Sequence, residues 1–258
     1  MTAIAADGGR RLSGGGRRFA PFHKWDRGFI LVMTLLMWLG IVAGFGSDLA
    51  THFRTHEAPY PLIVHFHAAA FVGWMVFFTV QVAAIRTGHP ALHRRLGLLG
   101  AGLAAVMAVL GPATAIVVDS AKYVAKHRPP TFVAIQFADI VVFAPLIVAG
   151  LLFRAAPATH RRLMLLATMG ITDAGFARWW GEAVEAALGK AYMAEFLSLY
   201  AGPDLLILGF GAYDLMTRGR LHPAYMIGAP FILAVQLTAT WLWLNPAWAP
   251  ISMHLIGR

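Results

Sequence analysis

Residues 60–86 read YPLIVHFHAAAFVGWMVFFTVQVAAIR, and the stretch decides the fold class. From Tyr60 to Ile85 there is no Asp, Glu, Lys or Arg. At about 1.5 Å of rise per residue, the run outlasts the roughly 30 Å hydrocarbon core of a bilayer. The run ends on Arg86, and a short polar turn leads to His93-Arg94-Arg95 and a second apolar run from Leu96. This is a membrane hairpin with its turn in a basic compartment.

Outward from this hairpin the pattern repeats. Apolar windows cover residues 28–47, 60–85, 96–118, 132–153, 163–180, 196–215 and 224–244. They predict an all-α polytopic membrane bundle of about seven transmembrane helices over residues 28–246, preceded by a disordered basic cytoplasmic tail over 1–27 and followed by a short outer tail over 247–258. Of 21 Lys and Arg, fourteen fall in the N-terminal tail and the even-helix-to-odd-helix turns (Arg86, Arg94, Arg95; Arg154, Arg161, Arg162; Arg218, Arg220) and seven on the opposite side. The positive-inside bias then predicts N-in/C-out topology in a bacterial inner membrane.

Composition agrees: 59% of residues are hydrophobic, 13% are charged and mean hydropathy is +0.65. That is more apolar surface than one soluble core of this size can bury. The net charge of +9 is dispersed in short clusters between spans, which argues for loops facing a membrane and against nucleic acid. With no cysteine, thiolate metal sites, iron–sulfur clusters and thiol nucleophiles are excluded.

Pro90-Ala91-Leu92-His93-Arg94-Arg95-Leu96-Gly97-Leu98-Leu99 returns as Pro157-Ala158-Thr159-His160-Arg161-Arg162-Leu163-Met164-Leu165-Leu166, with a weaker echo from Arg218 to Ala224. The expectation is a bundle built from repeated helical hairpins. His93, Arg94, Arg95, His160, Arg161 and Arg162 are read as lipid-headgroup or topology residues at the interface, as is His222.

These repeated pieces, with Tyr213-Asp214-Leu215 and the run through Ala224, resemble a group of uncharacterised bacterial multi-pass membrane proteins over roughly residues 61–224. Some of that group are distantly similar to small membrane factors of cytochrome oxidase assembly. The resemblance implies a haem or copper connection and a respiratory-chain partner, and maps no ligand onto this chain. Two better-known seven-helix classes fit poorly. A retinal protein needs a lysine in the last helix, and Lys24, Lys122, Lys126 and Lys190 all lie outside the spans. The adiponectin-receptor and ceramidase group uses a last-helix histidine, whereas His254 lies beyond the last span.

Ionisable residues inside a span cost about 2.5 to 3.5 kcal/mol each at a helix centre, so each calls for a reason. Here they share a depth in the outer half of the bundle: His65 and His67, Gln136 and Asp139, Asp204, Asp119, and Asp173 with Arg178. Gln136 and Asp139 share a helix face, whereas His65 and His67 point about 200° apart, so only one histidine faces the bundle. Three functions are expected from this layer. In the first, His65 or His67, Asp139 and Asp204 hold zinc, iron or a haem, with Gln136, Asp173, Arg178 and Asp119 around them, for redox or respiratory-chain maturation. The second is a metal-dependent hydrolase or lyase on a lipid-like substrate, with a carboxylate base and Arg178 stabilising negative charge. The third is a proton-coupled carrier with Asp139, Asp173 and Asp204 as relay groups. A purely structural ion-pair network of Arg178 and the aspartates competes with all three.

Overall fold

A computed structural model describes residues 19–55 and 59–258. Residues 1–18 of the tail expected over 1–27, and His56, lie outside the described residues; residues 19–27 are not the disordered stretch expected, since Phe19 to Pro21 pack on arginines of the bundle and α1 begins at Asp26. Among those described, the chain is helical and has no strand: α1 (Asp26–Arg54), α2 (Leu62–Arg86), α3 (Pro90–Lys126), α4 (Val133–Leu152), α5 (Pro157–Gly170), α6 (Asp173–Leu188), α7 (Tyr192–Arg218), α8 (Pro223–Leu244), a 3₁₀ turn (Pro246–Trp248) and α9 (Ala249–Leu255). Six of these, α1 to α4, α7 and α8, are long and apolar enough to cross a membrane. Their outward faces carry large apolar side chains, among them Leu98, Val109, Leu152, Leu208, Met216 and Ile227, all well exposed. Such a belt needs lipid around it.

The expected span over residues 163–180 is where structure and sequence part. The chain there is two helices, broken at Ile171 and Thr172. Thr172 is the reason. Its hydroxyl donates to the Met169 carbonyl (2.7 Å) and closes the last turn of α5, while its own carbonyl accepts from the amides of Gly175 and Phe176 and opens α6. Asp173 follows in the first turn, where a carboxyl favours the exposed amides of a helix start. Hydropathy is blind to this pair, because two residues barely change a window average.

The two halves pack against different neighbours. α5 lies against α4 and α8, and α6 lies between α1 and α7. The second contact is close because of glycines. On α1, Gly40 and Gly44 are spaced as Gly-x-x-x-Gly, which lets a partner helix approach backbone to backbone. A β-carbon on Gly44 would stand 1.9 Å from the Gly175 carbonyl oxygen, and one on Gly175 would stand 2.9 Å from that of Gly40. The Phe176 ring then wedges between α1 and α7, filling the space at Gly40 and Gly202.

A second set of contacts ties the end of the bundle that carries the basic turns. The Arg162 guanidinium, 1% exposed, grips Asp214 of α7 with two nitrogens, Nε at 2.8 Å from Oδ2 and Nη2 on Oδ1. Asp26, at the start of α1, accepts from Tyr213 (2.7 Å), Arg218 (2.8 Å) and Arg161 (2.8 Å). Residues 19–25 lie across this network. Phe19 covers the guanidinium groups of Arg162 (4.5 Å) and Arg218 (5.1 Å) and meets His222 edge-on at 4.7 Å. The Ala20 carbonyl accepts from Arg218 (3.0 Å), and that of Pro21 accepts from Arg161. Arg161 and Arg162, expected at the interface for topology, are therefore also interhelical ties. Arg162 in particular is turned inward and out of reach of a headgroup. Arg94 and Arg95, at the equivalent places of the first turn, are exposed.

His222 caps α8, its Nδ1 accepting from the Ala224 amide at 3.1 Å. Burial, followed by the guanidinium of Arg162, pushes its pKa down to about 4, against the opposing pull of Asp214. The unfolded chain takes up a proton near pH 6.5 that the folded chain does not bind until about pH 4. This part of the stability is therefore complete above pH 6.5 and lost as pH falls toward 4.

Three outcomes are expected in detergent melts. Gly44→Ala lowers stability by at least about 1 to 3 kcal/mol, because the methyl has no space, whereas Gly46→Ala, with nothing within 4 Å, leaves it unchanged. Arg162→Met leaves the buried Asp214 with only the longer contact to Arg218 at 3.6 Å and costs up to about 3 kcal/mol, and Arg162→Met/Asp214→Leu together recover much of it. His222→Asn keeps a capping side chain without a titrating ring, so its melting temperature falls less steeply than that of the parent between pH 6.5 and 4.

Candidate functional site

Where α6 begins, four helices bring polar side chains together inside the bundle. α4 supplies Asp139, α6 supplies Asp173, α7 supplies Tyr200 and Asp204 one turn apart, and α8 supplies Gln236. Asp173, Tyr200 and Gln236 are almost wholly buried, and Asp139 and Asp204 are half-buried. The carboxyls of Asp139 and Asp173 lie close enough to interact directly, and the Asp173 carboxyl also lies beside the Ala174 amide of its own helix start. The Gln236 carboxamide nitrogen donates to Asp204 at 3.0 Å. Tyr200 lies within electrostatic reach of all three aspartates.

The cluster is under-satisfied. Asp173 Oδ1, the Tyr200 hydroxyl, Gln236 Oε1 and, one turn before Asp139, Gln136 Oε1 are buried without a hydrogen-bond partner. A buried polar atom left alone costs about 1 to 3 kcal/mol, so several in one place mark groups that a water, a proton or a polar solute would satisfy.

Not all of the expected layer joins this group. His65 is exposed, with Nδ1 3.3 Å from the Pro61 carbonyl. His67 is the more buried of the two, but it turns toward the Leu110 backbone of α3 and stacks on Phe71 of its own helix at 4.2 Å. Arg178 is drawn to α1, 3.6 Å from Asp48 and over the Phe45 ring at 4.6 Å. Asp119 sits near the end of α3 beside Lys122 at 3.6 Å. Among the described residues, no three His, Asp or Glu side chains converge to hold a metal ion. The ligand set of one histidine with Asp139 and Asp204 is thus not assembled, because both histidines point along other faces of α2.

Tyr200 and Gln236 are the members that sequence reading passed over. Each had a signal: Tyr200 stands four residues before Asp204 and so shares its face, and Gln236 is a carboxamide in the middle of the last apolar run. An apolar groove of about 390 Å³ runs between α4 and α8 on the flank of the cluster, lined by Ala138, Val141, Phe231, Ala239 and Trp248 among others. Ala138 and Ala239 also pack in the small core that contains Tyr200.

Comparison with protein-family models, with curated proteins and with solved structures finds no match to this chain.

Proposed function

We propose that this is a proton-coupled carrier of an inner membrane, N-in/C-out, in which the broken pair α5–α6 makes the seventh crossing. The observation that carries the reading is the contact between the Asp139 and Asp173 carboxyls at the helix break. Two carboxyls side by side inside the bundle do not both stay ionised, so the pair is a proton site away from either end of the bundle. Broken helices in transporter folds serve the same purpose, presenting a half-helix start and unpaired backbone to a solute.

The packing supplies the coupling. Asp139 belongs to α4, which holds α5 and α8, whereas Asp173 belongs to α6, which is locked to α1 through glycines and to α7. A small rotation of α1, α6 and α7 against the rest parts the carboxyls and exchanges their proton. Tyr200, Asp204 and Gln236 then supply hydrogen bonds to a small polar solute. The metal or haem reading and the metal-dependent hydrolase reading both need residues that point elsewhere here, His67 toward α3 and Arg178 toward Asp48.

Proteoliposomes with a pH-sensitive dye inside, an imposed proton gradient and a mixture of amino acids and small sugars as candidate solutes test this. The parent protein is expected to dissipate the gradient, with Asp139→Asn and Asp173→Asn at least about tenfold slower, as for removal of an acid–base group. Asp48→Asn, whose carboxyl is half exposed beside Arg178, keeps the parental rate. Undiminished flux in both pair variants would end the proposal.

A further inference from the structure

The repeated basic turns hold chemistry that the carrier reading leaves unused. His93 of α3 and His160 of α5 occupy the same place in the duplicated Pro-Ala-x-His-Arg-Arg-Leu sequence, and the fold brings their rings to 6.0 Å between centroids, nearly perpendicular. The His160 Nδ1 lies 2.7 Å from the Gly150 carbonyl. It therefore carries the proton, and Nε2 is left with a free lone pair. His93 meets the Gln81 backbone, while its Nδ1 is buried without a partner. Nδ1 is therefore the ring nitrogen left open for a ligand. Gln81 of α2 is itself 9% exposed, and its side-chain oxygen is likewise buried and unpartnered.

We propose that His93, His160 and the Gln81 carboxamide oxygen form a site for one divalent transition-metal ion, tying α2, α3 and α5 at the basic end. Metal–nitrogen bonds of about 2.0 to 2.1 Å hold the centroids of two imidazoles on one ion roughly 5 to 6 Å apart, and the observed spacing falls there. A ligating histidine that donates its other nitrogen to a backbone carbonyl is the usual way of fixing tautomer and ring direction, and His160 does so through Gly150. No carboxylate is among the three donors, and Arg94 lies beside His93. Two imidazoles and one amide oxygen suit zinc or copper, and fail magnesium and calcium, which require oxygen shells. Water completes the coordination.

The test uses full-length, tag-free protein in detergent with Zn²⁺, and Mg²⁺ as the control. One equivalent of Zn²⁺ is expected to bind and to raise the melting temperature, and Mg²⁺ to do neither. His93→Gln and His160→Gln lose the equivalent, and His65→Gln retains it. Diethyl pyrocarbonate footprinting of the parent protein needs no variant: Zn²⁺ protects His93 and His160 severalfold and leaves exposed His65 reactive. Absence of bound Zn²⁺ in the parent, retention in both His93 and His160 variants, or a footprint unchanged at both histidines overturns the site.

Discussion

A helix that begins inside an apolar bundle must satisfy its first amides there, and the arrangement around Asp173 follows from that constraint. Lipid offers no hydrogen bonds, so the break at Ile171 and Thr172 persists only because Thr172 serves the end of α5 and the Asp173 carboxyl lies beside the Ala174 amide. Placing Asp173 there puts its carboxyl against Asp139, and Tyr200, Asp204 and Gln236 gather round them from α7 and α8. The polar cluster and the broken helix are one feature.

Around that feature the packing divides in two. Glycine contacts fix α6 to α1 with no tolerance for a methyl group, while α5 is held by α4 and α8. At the basic end the two sides are joined by charge: Arg162 of α5 to Asp214 of α7, and Arg161 of α5 to Asp26 of α1. The worth of such an ion pair depends on the exclusion of water from it. Residues 19–25 exclude that water by laying Phe19 over the guanidinium groups.

Much of this was legible in the sequence, for physical reasons. Apolar length reports directly on a bilayer, so the six long apolar helices were read from their uninterrupted runs. The shared depth of Asp139, Asp173 and Asp204 was visible because charge inside a span is costly wherever it occurs. Side-chain direction was another matter. The i, i+2 spacing of His65 and His67 says that they diverge, but which neighbour attracts His67 depends on where Leu110 of α3 arrives. The helix break hid within a hydropathy average although Thr172-Asp173 spells a helix start. Arg162 read as an interfacial anchor because its partner, Asp214, lies 52 residues away. The Gly40 and Gly44 pair was in plain view, and its partner Gly175 only emerges once α6 is recognised as a separate helix.

The central claim is that Asp139 and Asp173 hold one proton between them beside the start of α6. Infrared spectroscopy of the detergent-solubilised protein at neutral pH tests it most directly, because a protonated carboxyl in an apolar setting absorbs apart from carboxylates and from the amide band. The account predicts such a band in the parent protein, insensitive to changes at the exposed Asp48 and shifted or lost in Asp139→Asn. A parent spectrum with no protonated carboxyl, or a band unaltered in both Asp139→Asn and Asp173→Asn, would contradict it.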